Sequence, residues 1–181
     1  TLNSGSRLFV LENYGTMNMS DVNTISSGGG IFNSVSGTGK NAFLWKGILK
    51  LDVPGTINLD SPTDSYNMVE KSDSGVEVTS GVTMNGTLAN QIGLGDINTD
   101  TLVTYVKMKN DGTINLSGAQ SIGIYADNGE ITNNNILNAT GAGSVGIFSE
   151  NKTQTVNNGA ITVGDSGIGI YGISYQNPGS P

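Results

Sequence analysis

Hydrophobic and polar positions alternate along this chain in short bursts. The clearest burst returns three times: Ser121-Ile122-Gly123-Ile124-Tyr125, Ser144-Val145-Gly146-Ile147-Phe148 and Ser166-Gly167-Ile168-Gly169-Ile170-Tyr171. The aromatic positions 125, 148 and 171 are spaced by 23 residues, a fixed period of the kind that marks stacked repeats. Alternation at period two places Ile122 and Ile124 on one side of a strand, with Gly123 and Tyr125 on the other. The aliphatic side is expected inside, because a buried glycine side would leave a core position with nothing to pack. Ile122, Val145 and Ile168 should then form one interior ladder, and Ile124, Ile147 and Ile170 another.

A second strand opens each repeat. Gly112-Thr113-Ile114-Asn115-Leu116 matches Gly55-Thr56-Ile57-Asn58-Leu59 and Gly15-Thr16-Met17-Asn18-Met19, with a fainter copy at Gly86-Thr87-Leu88-Ala89-Asn90 and degenerate ones at Asn135-Ile136-Leu137-Asn138 and Gly159-Ala160-Ile161-Thr162-Val163. A period near 23 is shorter than the roughly 30 residues a βαβ unit needs, and no stretch carries an apolar stripe at helical spacing. The pattern predicts an all-β chain: a parallel β-helix of about six coils, each coil resting on the next about 4.8 Å along the axis. Residues 1–175 form one elongated unit, irregular over 1–109 and regular over 110–175, and 176–181 read as a tail or linker.

In the irregular half, Leu8-Phe9-Val10-Leu11 is expected to begin the stack. Ala42 to Leu51 reads as one strand with Phe43, Trp45, Leu49 and Leu51 on one face and Leu44, Lys46, Ile48 and Lys50 on the other. Uneven spacing between repeat starts predicts loop insertions in the N-terminal half, chiefly at 61–81 and 90–110. Loops on a rigid scaffold commonly carry recognition. Further on, Asn110-Asp111-Gly112 and Asn157-Asn158-Gly159 have the residues that sharp corners favour.

Composition agrees with many short strands and tight turns: 27 glycines, four prolines and 13% charged residues. The net charge is −7, and the eight Lys and Arg are scattered. Nucleic-acid affinity needs clustered cations, so that partner class is set aside. Without cysteine there are no disulfides or thiol chemistry. With no initiating methionine, leader or long apolar run, the sequence reads as a piece of a longer protein.

The chain has no histidine, which excludes Ser-His-Asp and Cys-His machinery and the usual zinc sites. A phosphate-cradling Gly-Lys-Ser/Thr loop is also missing. Asp60 with Asp64, Asp96 with Asp100, and Asp127 with Glu130 are close in sequence, but solvated acids in turns account for them. The calcium-binding Gly-Gly-x-Gly-x-Asp repeat does not occur. Catalytic, metal and cofactor sites are therefore not expected. The candidate ligand-binding residues are Trp45 and Lys46 in the apolar stretch, Asp64 and Tyr66 in the first insertion, and Asp96 and Asp100 in the second. Tyr125, Phe148 and Tyr171 should stack in an outward column that covers the adjacent glycines.

Repeated Gly-Thr-Ile-Asn-Leu followed by Ser-Ile-Gly-Ile-Tyr, with Asn-Asn-Gly turns between, resembles the passenger region of large autotransporter adhesins of Gram-negative bacteria. The likeness covers 110–175 well and 1–109 loosely. It implies a right-handed β-helix on the bacterial cell surface, anchored in the outer membrane by a C-terminal barrel outside residues 1–181. It also implies attachment to a protein or glycan receptor on other bacteria or host cells, and it assigns no binding residue. Two other readings stand beside a non-enzymatic adhesin. One is a polysaccharide-degrading or tailspike-like β-helix enzyme, which needs a carboxylate pair about 5 to 9.5 Å apart; the other is a purely structural stalk. Open strand edges at either end predict end-to-end association.

Overall fold

A computed structural model describes residues 10–11, 15–18, 31–33, 42–44, 47–51, 54–59, 66–70, 74–96 and 106–174, with side chains described from Leu51 onward within those segments except at 57–59, 66–70, 74–75 and 96. Every regular element among them is a strand. In order these are β1 (Val10–Leu11), β2 (Gly15–Asn18), β3 (Ile31–Asn33), β4 (Ala42–Leu44), β5 (Gly47–Leu51) and β6 (Gly55–Leu59). Next come β7 (Tyr66–Glu70), β8 (Ser74–Val78), β9 (Val82–Gly86), β10 (Ile92–Asp96), β11 (Val106–Asn110), β12 (Thr113–Leu116) and β13 (Ile122–Asp127). The last are β14 (Gly129–Asn133), β15 (Ile136–Ala139), β16 (Val145–Glu150), β17 (Gln154–Asn157), β18 (Ala160–Val163) and β19 (Ile168–Ile173).

The chain visits three parallel sheets in rotation. The first holds seven strands, β1, β4, β7, β10, β13, β16 and β19; the second holds β2, β5, β8, β11, β14 and β17; the third holds β3, β6, β9, β12, β15 and β18. Each strand pairs with the strand one full turn away, the signature of a parallel β-solenoid. Strands β8 to β19 make four successive turns of it.

Inward positions stack into aliphatic columns. Met84, Ile114 and Leu137 lie in register in the third sheet, and Leu94, Ile124 and Ile147 in the first. All six are buried completely. Fully burying one such side chain contributes about 1.5–3 kcal/mol, and each is covered mainly by the turns above and below, so stability accrues turn by turn.

Several expectations from the sequence are corrected. Ile122, Val145 and Ile168 are in register, but they are not core: Ile122 and Val145 are half-buried and Ile168 is exposed. The inward place belongs to the glycine that follows. A Cβ on Gly123 would meet Leu137 Cδ1 at 2.6 Å, and one on Gly146 would meet Ile161 Cγ2 at 2.6 Å. Aliphatic side chains of the third sheet fill the volume the glycines leave, so the buried glycine side does have packing partners. Ser166 is also displaced. Gly167 is the residue in register with Ser121 and Ser144, while Ser166 (φ 57°) occupies the left-handed corner held by Asn90, Gln120 and Gly143 in the preceding turns.

Corrections also fall in the N-terminal half. Gly15–Asn18 pairs with β5 in the second sheet rather than with the Gly-Thr-Ile-Asn-Leu strands of the third. The true copy near residue 86 is Val82–Gly86, in register with Gly55–Leu59. Ala42–Leu51 is two strands, β4 and β5, in different sheets. The stretches 61–81 and 90–110 are not whole insertions, since they contain the ladder strands β7, β8, β10 and β11; nine residues do separate β10 from β11, against one between β13 and β14.

Candidate binding groove

The outer face of the third sheet carries the most regular polar chemistry described. Asn33, Asn58, Asn85, Asn115 and Asn138 occupy one register position through five successive strands, and Thr162 continues it. In β9 the buried residues are Val82, Met84 and Gly86, and in β12 they are Ile114 and Leu116. Strand alternation therefore turns Asn85 and Asn115 outward. Asn115 donates from Nδ2 to Asn85 Oδ1 at 2.9 Å, and Asn138 donates to Asn115 Oδ1 at 2.9 Å. An amide has two N–H donors and two oxygen lone pairs. At Asn115 the turn-to-turn ladder uses one of each.

Two residues further along the chain, just past the strand ends, Thr87, Ser117 and Thr140 form an exposed hydroxyl column. It stays in line because the backbone ladder continues past the strands: Ser117 N–H donates to the Gly86 carbonyl and Thr140 N–H to the Leu116 carbonyl, each at 2.8 Å. The Ser117 hydroxyl leans on the Gly86 carbonyl at 3.4 Å. Amide and hydroxyl columns together line an open groove of about 560 Å³. No side chain lining it is charged.

Two ion pairs lie instead on the second sheet and its corner. Lys107 Nζ is 4.0 Å from Glu130 and Lys109 Nζ is 2.7 Å from Asp111. The hydrogen bond to Asp111 raises the Lys109 pKa above its ordinary value, against a smaller opposing effect of burial. Burial pushes Asp111 up, but hydrogen bonds from Lys109 and Asn134 and the charge of Lys109 outweigh it and hold the carboxyl below its ordinary range. Asp127 accepts a hydrogen bond from Asn151 in the next turn, so it and Glu130 engage different partners. No group of three or more carboxylates able to hold a metal ion occurs among the described residues.

The outward aromatic column forms on the first sheet. Tyr125 and Phe148 have ring centroids 5.5 Å apart in an edge-on arrangement, and Phe148 and Tyr171 5.2 Å apart in a tilted one. Tyr125 O–H donates to Glu150 at 2.8 Å. The neighbouring glycines turn inward, so these rings do not cover them.

Of the six residues singled out from sequence, Tyr66 falls in β7 opposite Ile92, and Asp96 in β10 opposite Glu70. Both belong to the first sheet and not to the groove. Trp45, Lys46, Asp64 and Asp100 lie outside the described residues. Sequence reasoning missed the groove residues, although the Thr-x-Asn alternation in Thr56-Ile57-Asn58, Thr83-Met84-Asn85 and Thr113-Ile114-Asn115 was the available signal. Comparison with models of protein families, with curated proteins and with solved structures returned no match.

Proposed function

We propose that this chain is a non-enzymatic adhesin segment of a right-handed β-helix of about six coils, displayed on the bacterial surface as part of an autotransporter passenger and anchored by a C-terminal barrel elsewhere in the protein. Its partner is a protein or glycan receptor on another bacterium or a host cell. The observation that carries this reading is the outward amide column at Asn85, Asn115 and Asn138, which repeats one recognition group at every turn of a rigid scaffold. A prearranged row of this kind lowers the ordering cost of attachment. Right-handed coiling follows the strong preference of parallel crossovers, and the seven strands of the first sheet accommodate six coils.

The test is binding of the labelled, purified chain to a panel of bacterial and mammalian cells, beside an assay for polysaccharide cleavage. Saturable binding without cleavage is expected. Cleavage would replace this reading with the β-helix enzyme. A purely structural stalk is the second reading, favoured by the turn-to-turn side-chain ladders, and it predicts neither signal. In the last turn Ile168, Ile170 and Tyr171 are 45, 48 and 41% exposed, and we propose that the purified chain associates end to end through such surfaces. A single monomeric species in sedimentation at high concentration would contradict that.

A further inference from the structure

We propose that the groove on the third sheet binds an extended, uncharged polysaccharide lying along the solenoid axis; this deepens the adhesin reading and rests on it for where the glycan is met. Three observations carry the inference. First, Asn85, Asn115 and Asn138 repeat the same amide at successive turns, with the hydroxyls of Thr87, Ser117 and Thr140 beside them. Each rung thus presents an amide and a hydroxyl, the donor and acceptor set that pairs with the vicinal hydroxyls of a sugar. Second, the rungs recur every 4.7–4.9 Å or so, the inter-strand spacing, which is close to the advance of one sugar in an extended glycan. Third, no lining side chain is charged, so the groove offers no ion pair to a sulfated, sialylated or uronic acid chain and none to an acidic or basic peptide. A peptide added as a strand needs a sheet edge, whereas this is a sheet face whose backbone groups are already laddered. At about 560 Å³ the groove is within the size range of ligand sites, and its open form suits a chain that passes through rather than a small molecule enclosed.

The direct experiment applies the purified chain to an array of neutral oligosaccharides (glucose, galactose, mannose and N-acetylhexosamine series) alongside anionic ones. Binding to at least one neutral series is expected, growing with oligomer length and unchanged by high salt, since no charge is involved. Ser117→Lys and Thr140→Lys, at exposed positions outside the amide ladder, should each weaken it by roughly tenfold or more with an unchanged far-UV spectrum. Thr132→Lys, outward on the second sheet, should leave it intact. Binding confined to anionic glycans and abolished by salt overturns the proposal, as does indifference to Ser117→Lys or no glycan binding at all. Testing the same variants for cell attachment separates the two claims. Attachment without array binding sinks the glycan groove and leaves the adhesin, whereas array binding without attachment keeps the groove and sinks the adhesin.

Discussion

Asn110 donates from Nδ2 to Asn133 Oδ1 at 2.7 Å, one turn away, and both side chains are wholly buried. Asn133 makes the same bond to Asn157, also at 2.7 Å. In the turns before, this register position is held by Leu51 and Val78. The change is accompanied by a change in corner length. Val78 and Val82 are separated by three residues, whereas two separate Asn110 from Thr113, Asn133 from Ile136 and Asn157 from Ala160. The asparagine amide completes the shorter corner itself: Asn110 Oδ1 accepts from Gly112 N–H at 3.1 Å, and Nδ2 also donates to the Ile136 carbonyl at 3.1 Å.

Asn133→Ala should therefore destabilise the chain by about 1–3 kcal/mol, because it removes the acceptor for the buried Asn110 amide and the donor to Asn157. Asn133→Val, which mimics Val78, should not restore it, since the two-residue corner depends on the amide. Chemical denaturation checks both. Equal stability of the valine variant and the native chain would contradict the corner argument.

The inward glycine column gives a paired prediction. A Cβ at Gly146 would meet Ile161 Cγ2 at 2.6 Å and the Gly169 carbonyl oxygen at 2.5 Å, whereas one at Gly169 meets nothing within 4 Å. Gly146→Ala should cost about 1–3 kcal/mol, the usual range for overpacking. Gly169→Ala should fall within about 0.5 kcal/mol of neutral. Thermal melts of the two variants side by side decide the point.

Thr155 occupies the column of Val76, Met108 and Ile131, and its buried Oγ1 has no hydrogen-bond partner. Replacing an unsatisfied buried hydroxyl by a methyl group removes a desolvation penalty. Thr155→Val is expected to stabilise by about 1 kcal/mol, seen as a raised denaturation midpoint at unchanged m-value.

Stability should depend on pH through the Lys109 and Asp111 pair. The folded pKa of Asp111 is below its ordinary 3.8, so its contribution is present above pH 3.8 and disappears as the pH falls through the depressed value. The folded pKa of Lys109 is above its ordinary 10.5, so its contribution is present below pH 10.5 and disappears as the pH rises through the raised value. Both side chains are partly exposed, so the effect is modest. Asp111→Asn should flatten the acid limb of a melting-temperature profile below pH 3.8, and an unaltered acid limb would remove Asp111 from the account.

Much of the solenoid was legible in the sequence where successive turns have the same total length. The 23-residue spacing of Tyr125, Phe148 and Tyr171 matches the register found, and Ile124 and Ile147 stack as their alternation requires. Hydrophobic alternation reports which side of a strand is buried, but it does not mark where a strand turns into the next sheet. Each corner resets the phase, so Ala42–Leu51 reads as one strand although it spans two. Local likeness likewise misplaced two copies, because Gly15-Thr16 and Gly86-Thr87 carry the Gly-Thr start of the repeat without the register of Gly55 and Gly112. Inward glycines escaped because the volume they lack comes from Leu137 and Ile161, contacts between sheets that alternation within one strand does not encode. The groove escaped for a related reason: Asn85, Asn115 and Asn138 become one surface only when their strands are laid in register.

The most direct test of the account compares cell attachment by the native chain with that of a Ser117→Lys, Thr140→Lys double variant, after spectra establish that both are folded. Saturable attachment by the native chain that is lost in the double variant, with no polysaccharide cleavage by either, is the predicted result. Equal attachment by the two, or attachment by neither, would contradict cell attachment through the outer face of the third sheet.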